Sequence, residues 1–410
     1  MAVSTLRAGV IRPTAPAERR VAVVPAAVSG LTGAGFEVLV QAGAGTGARF
    51  GDEDYTDAGA SVLSAEEVYA RSDVLLAVTV PDPTELHGRL RPGQALVGLL
   101  RPLAEPRLVG DLAAAGATAI SLDGVPRNLS RAQSMDALTS QASVAGYKAV
   151  IVAAAAYDRY LPLLMTAAGV ARPAQVLVLG AGVAGLQAIA TAHRLGAVVS
   201  GYDVRPEAQD EIRSLGADTL RLPAVTRATA TGGYARALTG DEQQAQREAL
   251  AAILGRFDIV IATAQALGGR PPLLIDAAAL GALRPGAVVV DLASGPRGGN
   301  VHGSRPDATV ETEKGVTVIG AADLAATVPR AASEAYARNI TALLRHIVRE
   351  GELHIDLDDE IQAGVVITHG GRVVHPGAAA AVAELGAEPG EPGPAADPMP
   401  EGDGHGARSA

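Results

Sequence analysis

The chain has 410 residues, 48% hydrophobic and 3% aromatic, with no cysteine, no tryptophan and a formal net charge of −10. That is enough apolar material for two cores; the lack of thiols excludes disulfides, thiolate catalysis and zinc–sulfur centres, and the negative balance argues against nucleic acid as a partner. The N-terminus carries no secretory signal pattern, and no apolar run is long enough to span a bilayer, so no membrane span is expected.

Taken in chain order, apolar runs occur at 8–11, 37–41, 74–80, 95–100 and 118–122, separated by stretches of helical length. Runs this uniformly apolar read as strands of a parallel sheet covered on both faces. Residues 134–156, polar and then alanine-rich, read as one long helix. A second series of strands follows at 175–179, 198–203, 259–262, 287–292 and 316–319. The expected fold class is therefore α/β: two doubly wound Rossmann-like domains with parallel sheets, joined by long helices, with a cleft between them. Near the end, 365–368 and 372–374 flank His369-Gly370-Gly371 as a hairpin. From Gly386 the chain is Pro, Gly, Ala and acid, the composition of a disordered tail. The expected division is 1–138 with 328–385 as a facing domain, 139–327 as the nucleotide domain, and 386–410 as tail.

The second series opens on Val176-Leu-Val-Leu-Gly180-Ala-Gly182-Val-Ala-Gly185, and Asp203 follows at about the 20-residue offset of a dinucleotide fingerprint. Gly180 permits a tight turn, Gly182 lets the backbone approach a pyrophosphate, and Gly185 lets the helix pack on the strand. The amides of Val183 and Ala184 open a helix over 183–195, where the dipole favours anions. Asp203 can accept the ribose hydroxyls of NAD and repel the 2′-phosphate of NADP. An ordinary turn is the competing reading.

Hydride transfer to or from an alcohol or amine needs a positioned proton acceptor. No lysine precedes Lys148, and the one histidine in that stretch is His87, in a loop. The other seven histidines show no triad or metal-ligand spacing, so no metal site is expected. A facing domain poor in proton-transfer groups suits direct hydride passage between two nicotinamides.

The segment Arg131-Ala-Gln133-Ser-Met-Asp136-Ala-Leu-Thr139-Ser-Gln-Ala-Ser-Val-Ala-Gly146-Tyr-Lys closely resembles the linker of the NAD(H)-binding alpha subunit of proton-translocating NAD(P) transhydrogenase, in the alanine dehydrogenase/transhydrogenase superfamily. The resemblance covers roughly residues 5–380 and includes Met165-Thr-Ala-Ala-Gly169, the glycine fingerprint, Thr231-Gly-Gly-Tyr234 and Val373-Val-His-Pro376. It implies an Si–Re type enzyme, a homodimer on the cytoplasmic face of the membrane that passes hydride from NADH to NADP on a beta subunit. A small membrane subunit would complete the assembly that couples the exchange to proton translocation.

The same resemblance implies site residues. Arg127, Gln133, Asp136 and Thr139 would meet the nicotinamide end, with Thr139 keeping the hydroxyl of the family's Ser. An extra residue after Pro126 leaves Asn128 as the ungapped alternative to Arg127. From the residues alone, Gln133 and Asp136 lie three apart, so one turn near the start of the long helix can present both to a carboxamide; a helix cap is the competing reading. Val204 and Arg205 follow Asp203 as in the family. Gly233 and Tyr234 would sit on a mobile lid, with Gln246 in the next helix. Thr263, Ala264 and Gln265 would complete the nucleotide contacts.

Several stretches depart from the family pattern. Gln265 replaces a Leu, Ser294-Gly-Pro-Arg297 replaces Val-Glu-Ala, Asp323-Leu-Ala-Ala-Thr-Val-Pro329 replaces Asn-Val-Pro-Ser-Arg, and Arg12-Pro13 replaces Lys-Glu. Alanine dehydrogenase shares the plan and the start Glu18-Arg-Arg-Val. It would need a Lys after the third expected strand and a His after the fourth, where this chain has Val78-Thr79-Val80 and Leu99-Leu100-Arg101. An amino-acid dehydrogenase and a non-catalytic NAD sensor are the alternatives.

Overall fold

A computed structural model describes residues 5–81, 86, 88–167, 169–222, 238–265 and 270–387. The first sheet takes strands β1 (Leu6–Val10), β2 (Phe36–Gln41), β3 (Ser61–Leu63), β4 (Val74–Thr79), β5 (Ala95–Leu99) and β6 (Thr118–Ser121). After a small ribbon, β7 (Leu164–Thr166) with β8 (Gly169–Ala171), the second sheet is built. Its strands are β9 (Gln175–Leu179), β10 (Val198–Tyr202), β11 (Asp218–Thr219), β12 (Ile259–Ala262), β13 (Val288–Asp291), β14 (Thr309–Glu311) and β15 (Thr317–Gly320). Another ribbon, β16 (Val348–Arg349) with β17 (Glu352–Leu353), precedes β18 (Val366–His369) and β19 (Arg372–Val373).

Both sheets are doubly wound. The first runs β19-β18-β6-β5-β4-β1-β2-β3 and the second β11-β10-β9-β12-β13-β15-β14. Each contains six parallel strands in dinucleotide-fold order, with the reversal between β1 and β4 and between β9 and β12. The sheets are mixed rather than wholly parallel. β14 pairs antiparallel with β15, and β18 and β19 return from the C-terminal part to extend the first sheet antiparallel to β6. The β18–β19 turn is Gly370-Gly371, both at positive φ, as a two-residue hairpin of this hand requires.

Burial explains the strand composition. All five residues of β5 and all four of β12 and of β13 are buried, and all of them but Asp291 are apolar, as strands covered on both faces favour. Two long helices cross between the sheets. The linker helix Ala137–Ala156 buries Ala149, Val150 and Ala153 in the core of the second sheet. The return helix Pro329–Ile347 buries Tyr336, Ile340, Leu343, Leu344 and Ile347 in that of the first.

Two expectations change. The linker is not one helix from 134: Ser130–Met135 forms a 3-10 turn, and Asp136 caps the α-helix that starts at Ala137. The final helix Pro376–Ala387 runs two residues into the stretch read as tail; its remainder lies outside the described residues. Among the described residues no helix is long and apolar enough to cross a membrane.

Candidate nucleotide site

β9 ends in Gly180, whose φ of 97° belongs to the left-handed region. A Cβ there would lie 2.6 Å from Thr263 Oγ1, and one on Gly185 would lie 1.8 Å from the Gly180 carbonyl oxygen. Gly182 is different: a Cβ on it would meet nothing within 4 Å. Gly182 is also the N-cap of helix Val183–Arg194 and supplies no side-chain cap. The first helical hydrogen bond runs from Leu186 N–H to the Gly182 carbonyl, 2.8 Å. The amides of Val183, Ala184 and Gly185 precede it and point out of the helix end. An open approach over uncapped amides fits an anion such as a pyrophosphate.

The turn is braced from β12. Thr263 Oγ1 donates to the Gly180 carbonyl at 3.0 Å, and the Ala264 carbonyl accepts from Asn300 Nδ2 at 2.8 Å. Gln265 is exposed, and residues 266–269 after it lie outside the described residues.

Asp203, just past β10, is tied on both carboxylate oxygens. Oδ2 accepts from Ala181 N–H at 2.7 Å; Oδ1 accepts from the Arg205 amide at 2.9 Å and from Arg205 Nε at 3.1 Å. Arg205 Nη2 also donates to the Ala181 carbonyl at 3.2 Å. Burial alone would lower the Arg205 pKa, but the Asp203 hydrogen bond and charge raise it. Val204 between them is half-buried. Gln246 is 3% exposed and turned inward, donating from Nε2 to the Tyr202 hydroxyl at 2.9 Å. It supports the end of β10 from behind. Gly233, Tyr234 and the expected lid lie outside the described residues, as does His87.

At the linker, Asp136 accepts from Thr139 N–H at 2.8 Å and from Thr139 Oγ1 at 2.6 Å, and pairs with Arg127 Nε at 3.4 Å. The structure thus brings Arg127, Asp136 and Thr139 together, with Arg127 rather than Asn128 making the contact. It does not place Gln133 on the same helical turn: Gln133 is exposed on the 3-10 turn, while Asp136 is buried as the cap. The cap reading of Asp136 is what the geometry shows.

The distance from this cluster to the glycine turn is set by helix packing. Gly146 of the linker helix lies against the backbone of Ala184; a Cβ on Gly146 would sit 2.1 Å from the Ala184 carbonyl oxygen. Ten residues of helix separate Asp136 from Gly146, about 15 Å of rise. The linker helix meets the turn Leu122–Gly124 after β6 and the turn Leu324–Thr327 after β15. The linker helix therefore passes the C-terminal strand ends of both sheets, where ligands of open α/β folds bind.

Four supports escape a reading of the sequence: Arg20, Gly146, Tyr202 and Asn300. Tyr202 and Asn300 carry a signal, since the first precedes Asp203 and the second closely follows the departing Ser294–Arg297 stretch. The sequence also gives His346 no evident acid, whereas His346 Nε2 lies 3.0 Å from Asp359 Oδ1, joining the return helix to a helix cap. Burial would raise the Asp359 pKa, but His346 and two backbone amides lower it. At the first sheet's own reversal, the cavity lined by Ile11, Arg12, Thr79 and Pro81 is only about 10 Å³. Among the described residues no group of three or more His, Asp or Glu could hold a metal ion.

Comparison with known proteins agrees with this geometry. Residues 9–145 match the family model "Alanine dehydrogenase/PNT, N-terminal domain" and residues 149–376 the corresponding C-terminal domain model. The chain is 38% identical over 376 residues to NAD(P) transhydrogenase subunit alpha of Cereibacter sphaeroides, covering 90% of this chain and 71% of that one. It is similar to the crystal structure of transhydrogenase from Sinorhizobium meliloti, with 39% identity and a TM-score of 0.78 over 90% of this chain and 99% of that one. Alanine dehydrogenase of Mycobacterium tuberculosis (strain H37Rv) is a more distant relative, 30% identical over 306 residues, 73% of this chain and 76% of that one. The chain belongs to the alanine dehydrogenase/PNT family, and within it stands with the transhydrogenase alpha subunits.

Proposed function

We propose that this chain is the NAD(H)-binding subunit of a proton-translocating NAD(P) transhydrogenase of the Si–Re type. It works as a homodimer beside an NADP-binding beta subunit and a small membrane subunit, peripheral on the inner face of the cytoplasmic membrane. Residues 139–327 form the NAD(H) domain and residues 1–138 with 328–385 the facing domain. That division is supported by the two sheets and by the return of β18 and β19 to the first.

The observation that carries the reading is the pairing of an uncapped glycine turn with a linker cluster whose one carboxylate, Asp136, is engaged by Thr139 and Arg127. Gly180, Gly182, Val183, Ala184 and Gly185 hold the pyrophosphate, while Asp203, flanked by Val204 and Arg205, takes the ribose. Thr263, Ala264 and Gln265 line the far side, and Gln246 holds Tyr202 behind Asp203. Gly233 and Tyr234, outside the described residues, stay with the nucleotide contacts that the family resemblance implies. When bound, the nicotinamide supplies the hydride; NADP(H) stays on the partner. Arg127 and Thr139 are oriented by Asp136, and exposed Gln133 is placed to turn the carboxamide. Their contribution is orientation, since the reaction moves no proton at this site.

Two assays separate the readings. NADH with the NADP-binding subunit and an NADP analogue should turn over, whereas NADH with pyruvate and ammonia should not. Turnover only in the second would establish an amino-acid dehydrogenase, and tight NADH binding with neither a sensor.

Asp203→Ala should narrow the preference for NADH over NADPH by at least tenfold, about 1.4 kcal/mol. The substitution removes the carboxylate that repels a 2′-phosphate and that also holds the Arg205 guanidinium. Binding titrations of both nucleotides check this; an unchanged ratio refutes the assignment of Asp203.

A further inference from the structure

Arg20 lies before the first helix, is 2% exposed and touches nothing in the nucleotide site. Its guanidinium donates in three directions. Nε and Nη2 bind the two oxygens of Glu18 at 2.8 and 2.6 Å, Nη1 binds Gln141 Oε1 at 2.9 Å, and Nη2 also binds Asp323 Oδ2. These partners sit on both connections between the sheets. Gln141 is on the linker helix, and its Nε2 reaches the Ala332 carbonyl of the return helix at 3.1 Å. Asp323 lies between β15 and the return helix, its Oδ1 capping the turn Leu324–Thr327 through Ala326 N–H.

We propose that Arg20 is a positioning residue: one buried guanidinium that grips both crossings at once and so fixes the angle between the two sheets. That angle sets how the linker cluster at Arg127–Thr139 faces the first sheet, and its kinetic consequence rests on the transhydrogenase reading. The two carboxylates differ in kind. The Glu18 side chain is 5% exposed and meets Arg20 through both its oxygens; the Asp323 side chain is 47% exposed. Opening the Asp323 contact therefore leaves no unpaired buried charge, the event that makes breaking most buried ion pairs so destabilising. Asp323 is the releasable half of the clamp. It also opens one of the stretches in which this chain departs from the transhydrogenase pattern, placing a charge where that pattern has Asn.

The absence of cysteine makes a direct test possible. Glu53→Cys and Glu313→Cys place spin labels at exposed positions, one associated with each sheet. Pulsed dipolar spectroscopy should give one narrow distance distribution. Asp323→Asn, which keeps a good capping side chain, should broaden or shift it by several ångströms, and Asp323→Glu should restore it. NADH affinity should stay within twofold in both variants. Hydride transfer to partner-held NADP should fall threefold or more in Asp323→Asn and recover in Asp323→Glu. A distance distribution unchanged by Asp323→Asn overturns the clamp. A distribution that responds in a chain with no hydride transfer at all upholds the clamp and sinks the transhydrogenase reading instead.

Discussion

Gly182→Val is expected to abolish useful NADH binding while leaving the fold almost untouched. The glycine has ordinary backbone angles, φ −75° and ψ −170°, that valine also adopts. A Cβ there projects into open space. Valine is a poorer N-cap than glycine, at a cost of about 1 kcal/mol, or roughly 2–4 °C in Tm. The pyrophosphate, however, must come up to the amides of Val183 and Ala184 along this open approach. Two added methyl groups at the mouth should weaken NADH at least 100-fold, about 2.8 kcal/mol. Calorimetric titration against NADH, with a thermal melt of the same sample, checks both halves. Normal affinity would mean the glycine turn is not where the phosphates sit.

Gly146→Ala should do the reverse and damage the fold first. In an exposed helix, Gly→Ala gains roughly 0.5–1 kcal/mol from backbone entropy. Here the methyl group would lie 2.1 Å from the Ala184 carbonyl oxygen and 2.8 and 2.9 Å from two further backbone atoms of that residue. No side-chain rotation relieves a contact with backbone. Overpacking of this kind costs about 3 kcal/mol, so the clash outweighs the propensity gain. The melting temperature should drop by roughly 5–10 °C. Because the linker helix must move off the fingerprint helix, residual hydride transfer at low temperature should fall more than NADH affinity does. A Tm equal to or above the parent would show that the two helices do not pack as described.

The sheets are legible in the sequence because strands covered on both faces must be apolar throughout. Residues 175–179 and 259–262 carry no polar interruption beyond Gln175, and strands occupy those ranges. Several short strands escape. Ser61–Leu63, Asp218–Thr219 and Thr309–Glu311 are two or three residues long and each includes a polar residue, too brief for any period to register. The glycine turn is legible because each glycine answers a separate steric demand. Asp136 is harder. Its spacing from Gln133 suggests a shared helical face, but Asp is also among the best capping residues, and the cap decides where the helix begins. Nothing local distinguishes Arg20 from Arg19 beside it. The partners of Arg20 lie 121 residues away at Gln141 and 303 away at Asp323, so only the folded chain reveals which arginine is buried.

The decisive measurement follows the hydrogen itself. NADH deuterated at the transferred position is mixed with the chain, the NADP-binding subunit and an oxidised NADP analogue in ordinary water, and the product is examined by mass spectrometry. Complete recovery of deuterium in the reduced analogue is the expected result, because the hydride passes ring to ring and no side chain of this protein handles a proton. Deuterium washed out into solvent, or found only in an amino acid after pyruvate and ammonia are supplied, would contradict it.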